Sequence, residues 1–501
     1  MRLYLTPSGV RETDVLTYYH NCKHNLMSAL RDRTLADVPQ PTASGLKALR
    51  RTVRRLTKSL PKVTPWSLDE VVGHYSGAKR ARYQNAAQRY TEEGVSVRDA
   101  TVDLFVKCEA TPIKSEFKPP RAINPRSYVY NVALAKYIKP VEEVIYNMTG
   151  FCQRRVPRSR VIAKGLSQCQ RATLLHQKCK YFERPVLLTL DASRFELHMS
   201  VPLLRIEHSV YLNMLNDPEF QRLLSMQLVS KGRVRSIGMK FVSRGCRMSG
   251  DMNTALGNSL IMLIMCETAF RNLGITKYDV LDDGDDIVVI VEHGVEAVLQ
   301  RGVFDEFLSF GHEIKIENIA YHFEDLNWCQ CHPVQIAFDR WKLVRDPFKI
   351  IARGLSGIKY FTNSDDDTRR KLINSLGHCE LVLNLGVPVL QEYALMCIRN
   401  SGTEEFLKFD SVDEYYHRME KEVRALRVGI EDVVPHDITA ECRISFQRAF
   451  GISVGDQLEI ESQLRSLNIQ ILGGEDAADE IDLRARKRYF GHFPSLYPLR
   501  E

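Results

Sequence analysis

The sequence predicts an α+β protein whose strands are concentrated at the centre of the chain. Short apolar runs there, PVLLTL at 185–190 and IVVIV at 287–291, are typical of buried strands. Basic helical segments occupy the first third, and long helical patterns dominate after about residue 365. A chain of 501 residues is too long for one compact core, so we expect about two to four substructures.

The composition is that of an ordinary globular protein, with 44% apolar and 26% charged residues. A net charge of +7 permits a polyanionic partner without proving one. No apolar run reaches the roughly 18 to 20 residues of a membrane span, and the N-terminus lacks the apolar core of a signal peptide. We therefore expect an intracellular protein whose 12 cysteines are reduced thiols.

The first third begins with a predicted linker at 36–45, which is rich in Pro, Ser, Thr and Gly. Apolar residues then recur at helical spacing with Lys and Arg between them, at Leu46, Leu49, Val53, Leu56 and Leu60. This basic amphipathic helix could bind RNA, anionic lipid or a partner protein. Alternatively, it packs on the core and leaves its basic face solvated.

Two further features precede the central strands. SLDE at 67–70 has the spacing of a helix capping box, and a basic helical segment follows from about residue 75. Residues 105–127 are rich in Lys, Arg and Pro, which favours an extended loop or irregular strands. The chain therefore presents much positive charge before its acidic centre.

Four carboxylates surround one glycine in YDVLDDGDDIVVIVE, residues 278–292. The flanking apolar runs and Gly284 predict a β-hairpin with an acidic tip. A solvent-exposed acidic turn is the alternative, but the flanking strands look buried, and Asp191 ends another apolar run. Two strand-end aspartates can hold two divalent ions about 3.5–4 Å apart, and oxygen-rich sites suit Mg²⁺. Asp282 and Asp283 are the weaker candidates for metal ligands.

CQCH at 329–332 briefly suggests a zinc site. Two thiols one residue apart are poor partners for one tetrahedral ion, and no second cluster completes a ligand set. We interpret these residues as packing residues on a strand.

Three segments together resemble motifs of the RNA-directed RNA polymerases of tombusvirus-like positive-strand RNA viruses. They are DASRFELHMS at 191–200, GCRMSGDMNTALGNSLIM at 245–262 and GDD at 284–286. Their order and spacing also fit that family. Weaker resemblance extends over roughly 70–350 and includes 75–87, 105–127, 311–317, 327–334 and 341–349.

The resemblance implies a right-hand polymerase fold with fingers, palm and thumb. The palm is expected to be an antiparallel sheet backed by helices, and the thumb is expected to be mostly helical. The expected divisions are an N-terminal extension at 1–65, fingers at 66–180, palm at 181–200, a fingers insertion at 201–244, palm at 245–340 and thumb at 341–501.

The resemblance also implies roles for the acidic residues. Asp191 and Asp285 are expected to be the main Mg²⁺ ligands, with Asp286 secondary, and Mn²⁺ is expected to be able to replace Mg²⁺. Lys315 falls where such polymerases carry a candidate general acid for the pyrophosphate leaving group. The alternative for Lys315 is an ordinary surface lysine on a strand.

Binding of the incoming nucleotide is expected to need cations and polar groups. Arg121 is the first choice for contacting the triphosphate and Lys107 the second, with Lys114, Lys118 and Arg126 as further candidates. By resemblance, Ser249, Thr254 and Asn258 sense the ribose. Glu196, which stands where the family usually has aspartate, is also expected to line the ribose pocket; it keeps the charge but moves the carboxylate by one methylene. His198 is expected to make structural hydrogen bonds.

The expected reaction is template-directed addition of ribonucleotides with release of pyrophosphate. The expected partners are a single-stranded RNA template, the nascent RNA, ribonucleoside triphosphates and a viral auxiliary replication protein. That protein would recruit the chain indirectly to membrane-associated replication complexes in the host cytoplasm, since the chain has no predicted transmembrane segment.

Two other functions share some of these sequence features. A reverse transcriptase would normally place a bulky side chain at the position of Glu196 and lacks the Ser249, Thr254 and Asn258 set. A non-catalytic RNA-binding scaffold has no reason to keep the metal aspartates, and only Glu196 supports it.

Overall fold

A computed structural model describes residues 16–108, 110–112, 118–149, 155–355, 365–407, 422 and 429–469. The first third is mainly helical with short strands. Its elements are β1 (Leu16–Tyr18), α1 (Lys23–Arg33), α2 (Ala43–Thr57), α3 (Leu68–Gly73), α4 (Gly77–Glu93), β2 (Val102–Asp103), β3 (Phe105–Val106), β4 (Ala110–Pro112), β5 (Ala122–Ile123), α5 (Tyr128–Tyr146) and α6 (Gln168–Cys179).

The centre mixes strands and helices. Its elements are β6 (Pro185–Ala192), α7 (Phe195–His198), α8 (Val201–Met214), α9 (Pro218–Ser225), β7 (Val229–Val234), β8 (Met239–Arg244), α10 (Thr254–Asn272), β9 (Tyr278–Asp282), β10 (Asp286–Glu292), α11 (Glu296–Ser309), β11 (Ile314–Ala320), β12 (Cys331–Ala337) and β13 (Arg340–Arg345). The described end of the chain is helical, with α12 (Pro347–Arg353), α13 (Asp366–Leu383), α14 (Leu390–Ser401), α15 (Ala440–Phe450) and α16 (Val454–Ser466). The α+β prediction is confirmed.

The central sheet has four antiparallel strands in the order β11–β6–β10–β9. Side chains alternate between its faces. On one face, Val186, Leu188 and Leu190 join a core that includes α10 and α11. On the other, Leu187 packs in a core with residues of α6 and the β12–β13 hairpin. The sheet is therefore covered on both faces, which buries its apolar strands.

Helix α10 forms the centre of the helical layer. All its residues from Leu256 to Phe270 are buried. In the described part of the chain, no helix combines the length and apolar character needed to cross a bilayer.

The basic helix predicted after the linker is α2, and it packs on α8, α10 and α11. Its apolar face, including Leu49, Val53 and Leu56, is buried in the core, so this face is not free to enter a lipid layer. The helix begins at Ala43, two residues before the predicted end of the linker, because the Thr42 side chain accepts a hydrogen bond from the Gly45 amide at 3.0 Å.

The capping box at Ser67 is confirmed. The Ser67 hydroxyl accepts from the Glu70 amide at 3.2 Å, and the Glu70 carboxylate accepts from the Ser67 amide at 2.7 Å. The predicted basic helix that follows is α4, and residues 105–106, 110–112 and 122–123 form short strands as predicted for the basic loop.

Candidate active site

The acidic residues predicted from the sequence meet at one end of the central sheet. The predicted hairpin is formed by β9 and β10, and the predicted strand before Asp191 is β6. Asp286 begins β10 and pairs directly with Asp191 across the two antiparallel strands. The Ala192 amide also donates to the Asp285 carbonyl at 3.1 Å, which ties the turn to β6.

The turn between β9 and β10 depends on Gly284. Its φ of +110° lies in a region that side-chain-bearing residues rarely adopt. The Asp283 amide donates to the Asp286 carbonyl at 2.9 Å and closes the turn. This short connection keeps Asp285 beside Asp286 and next to the end of β6.

The carboxyls at this end of the sheet resist ionisation. Burial, followed by the charges of Glu196 and Asp191, raises the pKa of Asp285 to about 6. Burial also raises the pKa of Asp286 to about 7, with added repulsion from Asp191 and Asp285. For Asp191, burial and Glu317 raise the pKa above its ordinary value, although Lys315 and Arg121 oppose the shift. A nearby cation would relieve this unfavourable charge.

Asp282 and Asp283 occupy different surroundings. Asp282 is fully buried, which raises its pKa well above the ordinary value, and its carboxylate accepts from the Gly284 amide at 3.1 Å. Asp283 forms ion pairs with Lys164 at 2.8 Å and Arg171 at 2.7 Å. Burial raises the pKa of Asp283, but these two cations outweigh it and hold the pKa below its ordinary value. Both residues therefore have partners other than a metal, consistent with their weaker case as ligands.

The donor set fits a Mg²⁺ ion that shares its shell with a substrate. One carboxylate oxygen of Asp286, Oδ1, is buried and has no hydrogen-bond partner among the described residues. In that part of the chain no three His, Cys, Asp or Glu side chains are arranged to enclose a metal by themselves. Mg²⁺ in phosphoryl-transfer sites is commonly held by one or two carboxylates together with water and substrate phosphates. Asp191, Asp285 and Asp286 could hold it in that way.

Two of the predicted ribose-sensing residues contact each other. Asn258 Nδ2 donates to Glu196 Oε1 at 3.1 Å, so the longer glutamate still reaches the asparagine. The Asn258 Oδ1 atom is buried and has no partner in the described residues. This leaves an acceptor for a further polar group.

The hydroxyls of the other two ribose candidates are bonded to backbone. Ser249 Oγ donates to the Ala122 carbonyl at 3.0 Å and accepts from the Asn124 amide at 3.2 Å. Thr254 Oγ1 lies within hydrogen-bond distance of the Met248 and Asp251 carbonyls, at 3.0 and 2.9 Å. Each oxygen keeps acceptor capacity for a ribose hydroxyl. Their predicted role stays a prediction.

Arg121 is exposed, and its charge reaches Asp191, where it opposes the upward shift of the pKa. The Lys107 amide donates to the Arg121 carbonyl at 2.8 Å, which places these two candidates on paired backbone. Lys118 is exposed, and Lys114 lies outside the described residues.

The prediction that Arg126 neutralises a triphosphate is wrong. Its side chain is 0% exposed and forms an ion pair with Asp251. It also donates to the Ser230 hydroxyl at 2.9 Å. No local pattern could indicate these partners, because they lie more than 100 positions away in the chain.

Lys315 is exposed on β11 and pairs with Asp191 on the side opposite Asp286. His198 makes structural hydrogen bonds as predicted. Its Nδ1 lies 3.1 Å from the Arg194 carbonyl, and its Nε2 lies 3.1 Å from Glu313.

Cys329 of CQCH contacts the acidic residues through its amide and also through its thiol, whose Sγ lies 3.6 Å from a carboxylate oxygen of Asp283. The Cys329 amide donates to the Asp286 carboxylate at 3.1 Å. Cys331 and His332 lie on β12, where Cys331 is buried in the core behind the sheet. The sequence suggested only packing here and missed the contact between Cys329 and Asp286.

A buried ion pair that sequence reasoning missed supports the segment before α10. Arg247 and Glu207 have side-chain exposures of 1% and 0%. Glu207 also accepts from Asn253 at 2.8 Å, so α8 holds the segment that leads to Asn258. No periodicity or motif marks such a long-range pair.

Comparison with known proteins identifies the family of the chain. The sequence model of a family described as viral RNA dependent RNA polymerase matches residues 23–471. RNA-directed RNA polymerases of oat chlorotic stunt virus (isolate United Kingdom), tomato bushy stunt virus (strain Cherry) and carnation mottle virus are 32%, 31% and 30% identical over 93%, 91% and 94% of this chain. The alignments cover 64%, 55% and 61% of those relatives, so the chain spans somewhat more than half of their length.

The chain belongs to the viral RNA-dependent RNA polymerase family. The resemblance to tombusvirus-like polymerases is thereby confirmed. Membership implies a right-hand polymerase, and viral polymerases of this family generally use divalent metal ions.

Proposed function

We propose that the chain is an RNA-directed RNA polymerase that replicates a positive-strand viral RNA genome. The cross-strand pairing of Asp191 with Asp286, with Asp285 beside them, is the observation that carries this proposal. Family membership supports it independently. A non-catalytic scaffold would have no use for three clustered carboxylates whose mutual repulsion is unrelieved.

The proposed right-hand fold follows the division into fingers, palm and thumb that is expected from the sequence. The four-stranded sheet with α10 and α11 would form the palm, the basic helices and short strands before it the fingers, and the helices from α12 onward the thumb. The packing of α6 and the β12–β13 hairpin behind the sheet supports a rigid palm.

In the proposed reaction, the 3′-hydroxyl of the growing RNA attacks the α-phosphorus of a ribonucleoside triphosphate, and pyrophosphate leaves. Asp191 and Asp285 would be the main Mg²⁺ ligands and Asp286 a secondary one. When bound, the metal ions would activate the attacking hydroxyl and stabilise the leaving oxygen.

The chain's own residues would bind and orient the nucleotide. Arg121, with Lys107 and Lys118, would bind the triphosphate, because guanidinium and ammonium groups match its charge. Glu196 and Asn258, with Ser249 and Thr254, would contact the ribose. Lys315 would donate a proton toward the leaving pyrophosphate, a role supported by its place opposite Asp191.

The proposed partners are a single-stranded RNA template, the nascent strand and a viral auxiliary protein. That protein would bring the polymerase to membrane-associated complexes in the host cytoplasm. Co-sedimentation with liposomes in the presence and absence of such a protein would test this part.

The test of the function is nucleotide incorporation on a single-stranded RNA template with Mg²⁺ or Mn²⁺. The wild type should incorporate ribonucleotides in strong preference to deoxynucleotides, and Asp285→Ala should lose at least about a hundredfold of that activity. Asp305→Ala, at an exposed residue of α11, is a matched control. A folded wild type that binds RNA and incorporates nothing, even with an auxiliary viral protein, would favour the scaffold.

A further inference from the structure

Two cations from one segment hold the turn that carries the acidic residues. Lys164 Nζ lies 2.8 Å from a carboxylate oxygen of Asp283 and donates to the Asp283 carbonyl at 2.9 Å. From α6, Arg171 Nη1 donates to the other carboxylate oxygen at 2.7 Å. Asp283 is thus bound through both oxygens of its side chain and through its backbone.

The same segment is joined to β9 by backbone hydrogen bonds. The Asp282 amide donates to the Val161 carbonyl at 2.9 Å, and the Ala163 amide donates to the Asp282 carbonyl at 2.7 Å. Lys164 and Arg171 therefore act from a backbone that is fixed to the strand they support.

A second segment holds the other side of the turn. The Cys329 amide donates to the Asp286 carboxylate, and Trp328 Nε1 donates to the Asp286 carbonyl at 3.4 Å. Arg171 links the two sides, since its guanidinium lies 5.6 Å from the centre of the Trp328 ring.

We propose that Lys164 and Arg171 are positioning residues that hold Asp285 and Asp286 in their metal-binding geometry by fixing Asp283. This inference rests on the proposed function. Lys164 and Arg171 are not among the residues proposed to bind the metal ions or the nucleotide. Both cations form ion pairs with Asp283, and the charge of Lys164 also opposes the upward shift of the pKa of Asp285.

The physical reason is the free-energy cost of a largely buried carboxylate that has lost one of its two cationic partners. The Asp283 side chain is 15% exposed, and removal of a partner would leave its charge poorly solvated. The turn would then shift to expose Asp283, or Asp283 would compete with its neighbours for the metal. Either response displaces the two ligands that follow it by two and three residues.

The experiment measures Mn²⁺ binding to the full chain by electron paramagnetic resonance of the free ion. Arg171→Gln should weaken Mn²⁺ binding about tenfold, as is typical when a group that orients a metal ligand is lost. Lys164→Gln should act in the same direction, and Arg171→Lys should recover part of the affinity. In the incorporation assay, the Mg²⁺ concentration for half-maximal rate should rise while KM for the nucleotide changes little.

Arg345→Gln is the matched control, because Arg345 also forms a largely buried ion pair, with Glu380, at 18% and 3% exposure. It should lower Tm to a similar extent without weakening Mn²⁺ binding. If Arg171→Gln fails to fold, Lys164→Gln and Asp283→Asn test the same contact.

A double-mutant cycle separates positioning from general stability. Asp283→Asn should weaken Mn²⁺ binding to about the same degree as Arg171→Gln, and the double variant should be no worse than either. Effects that multiply in the double variant, or wild-type Mn²⁺ affinity in folded Arg171→Gln, would overturn the proposal. A wild type that neither binds Mn²⁺ nor incorporates nucleotides would instead overturn the proposed function on which this inference rests.

Discussion

Asp191 and Asp286 lie directly opposite each other on neighbouring antiparallel strands, although 95 positions separate them in the sequence. The glycine turn adds Asp285 to this pair. Three carboxyls with raised pKa values thus converge at the end of a sheet that is rigidly packed on both faces. This convergence makes the end of the sheet the candidate metal-binding site.

Removal of one acidic charge should stabilise the metal-free protein. The folded-state pKa of Asp286 is raised to about 7, so stability is lost as pH rises from about 4 through about 7. Asp286→Asn should not lose this stability, because asparagine does not ionise. We expect its Tm without divalent metal to exceed that of the wild type by roughly 2 °C or more at pH 8 and by much less at pH 4.

Thermal unfolding in EDTA at both pH values measures the effect, and added Mg²⁺ should then raise the wild-type Tm more than that of Asp286→Asn. A lower Tm for the variant at pH 8 would mean that the carboxylate is stabilised by the protein alone.

Arg121 and Arg126 should respond differently to the same substitution. Arg121→Gln should raise KM for the nucleotide several-fold and leave Tm almost unchanged, because the side chain is exposed beside the carboxylates. Arg126→Gln should reduce the free energy of unfolding by about 3–5 kcal/mol, because it leaves Asp251 buried and unpaired. Steady-state kinetics and denaturant unfolding distinguish the two, with exposed Arg205→Gln as control. Equal effects of both variants on KM would contradict the assignment.

Asn258 should contribute to the choice between ribose and deoxyribose. Asn258→Ala removes the donor to Glu196 and the buried acceptor Oδ1, so the preference for ribonucleotides should fall about tenfold. Competition between labelled ribo- and deoxynucleotides measures this ratio. Asn272→Ala, at the exposed end of the same helix, is the control and should leave the ratio unchanged. An unaltered preference in Asn258→Ala would remove Asn258 from the ribose site.

Gly257 should tolerate no side chain. A Cβ atom there would overlap the carboxylate of Glu207 and the guanidinium of Arg247, which form a buried ion pair. Gly257→Ala should therefore reduce the free energy of unfolding by about 3 kcal/mol or more. Chemical denaturation gives the value, and Gly274→Ala serves as a comparison, since nothing lies within 4 Å of a Cβ there, although its positive φ adds some strain. Near-equal stability of Gly257→Ala and the wild type would show that the ion pair can move aside.

The sequence predicted the parts of the site that depend on local patterns. The hairpin around Gly284, the strand that ends at Asp191 and the capping box at Ser67 all arise from residues close together in the chain. Apolar periodicity likewise located the basic helix α2. Only the structure shows that its apolar face packs in the core.

The remaining features depend on distant residues. Arg126 looked like one more cation of a basic loop, and its burial is set by Asp251 and Ser230. Lys164 and Arg171 lie in a segment without a motif, and only the fold brings them to Asp283. Register across β6 and β10 is also a tertiary property, so the sequence could suggest that Asp191 and Asp286 are partners but could not fix their alignment.

The most direct test of the account is anomalous diffraction from crystals of the protein soaked in Mn²⁺ with template RNA and a ribonucleoside triphosphate. The account predicts Mn²⁺ peaks in contact with the carboxylates of Asp191 and Asp285, and their loss in Asp285→Asn. Mn²⁺ bound only elsewhere in crystals of an enzyme that incorporates nucleotides would contradict it.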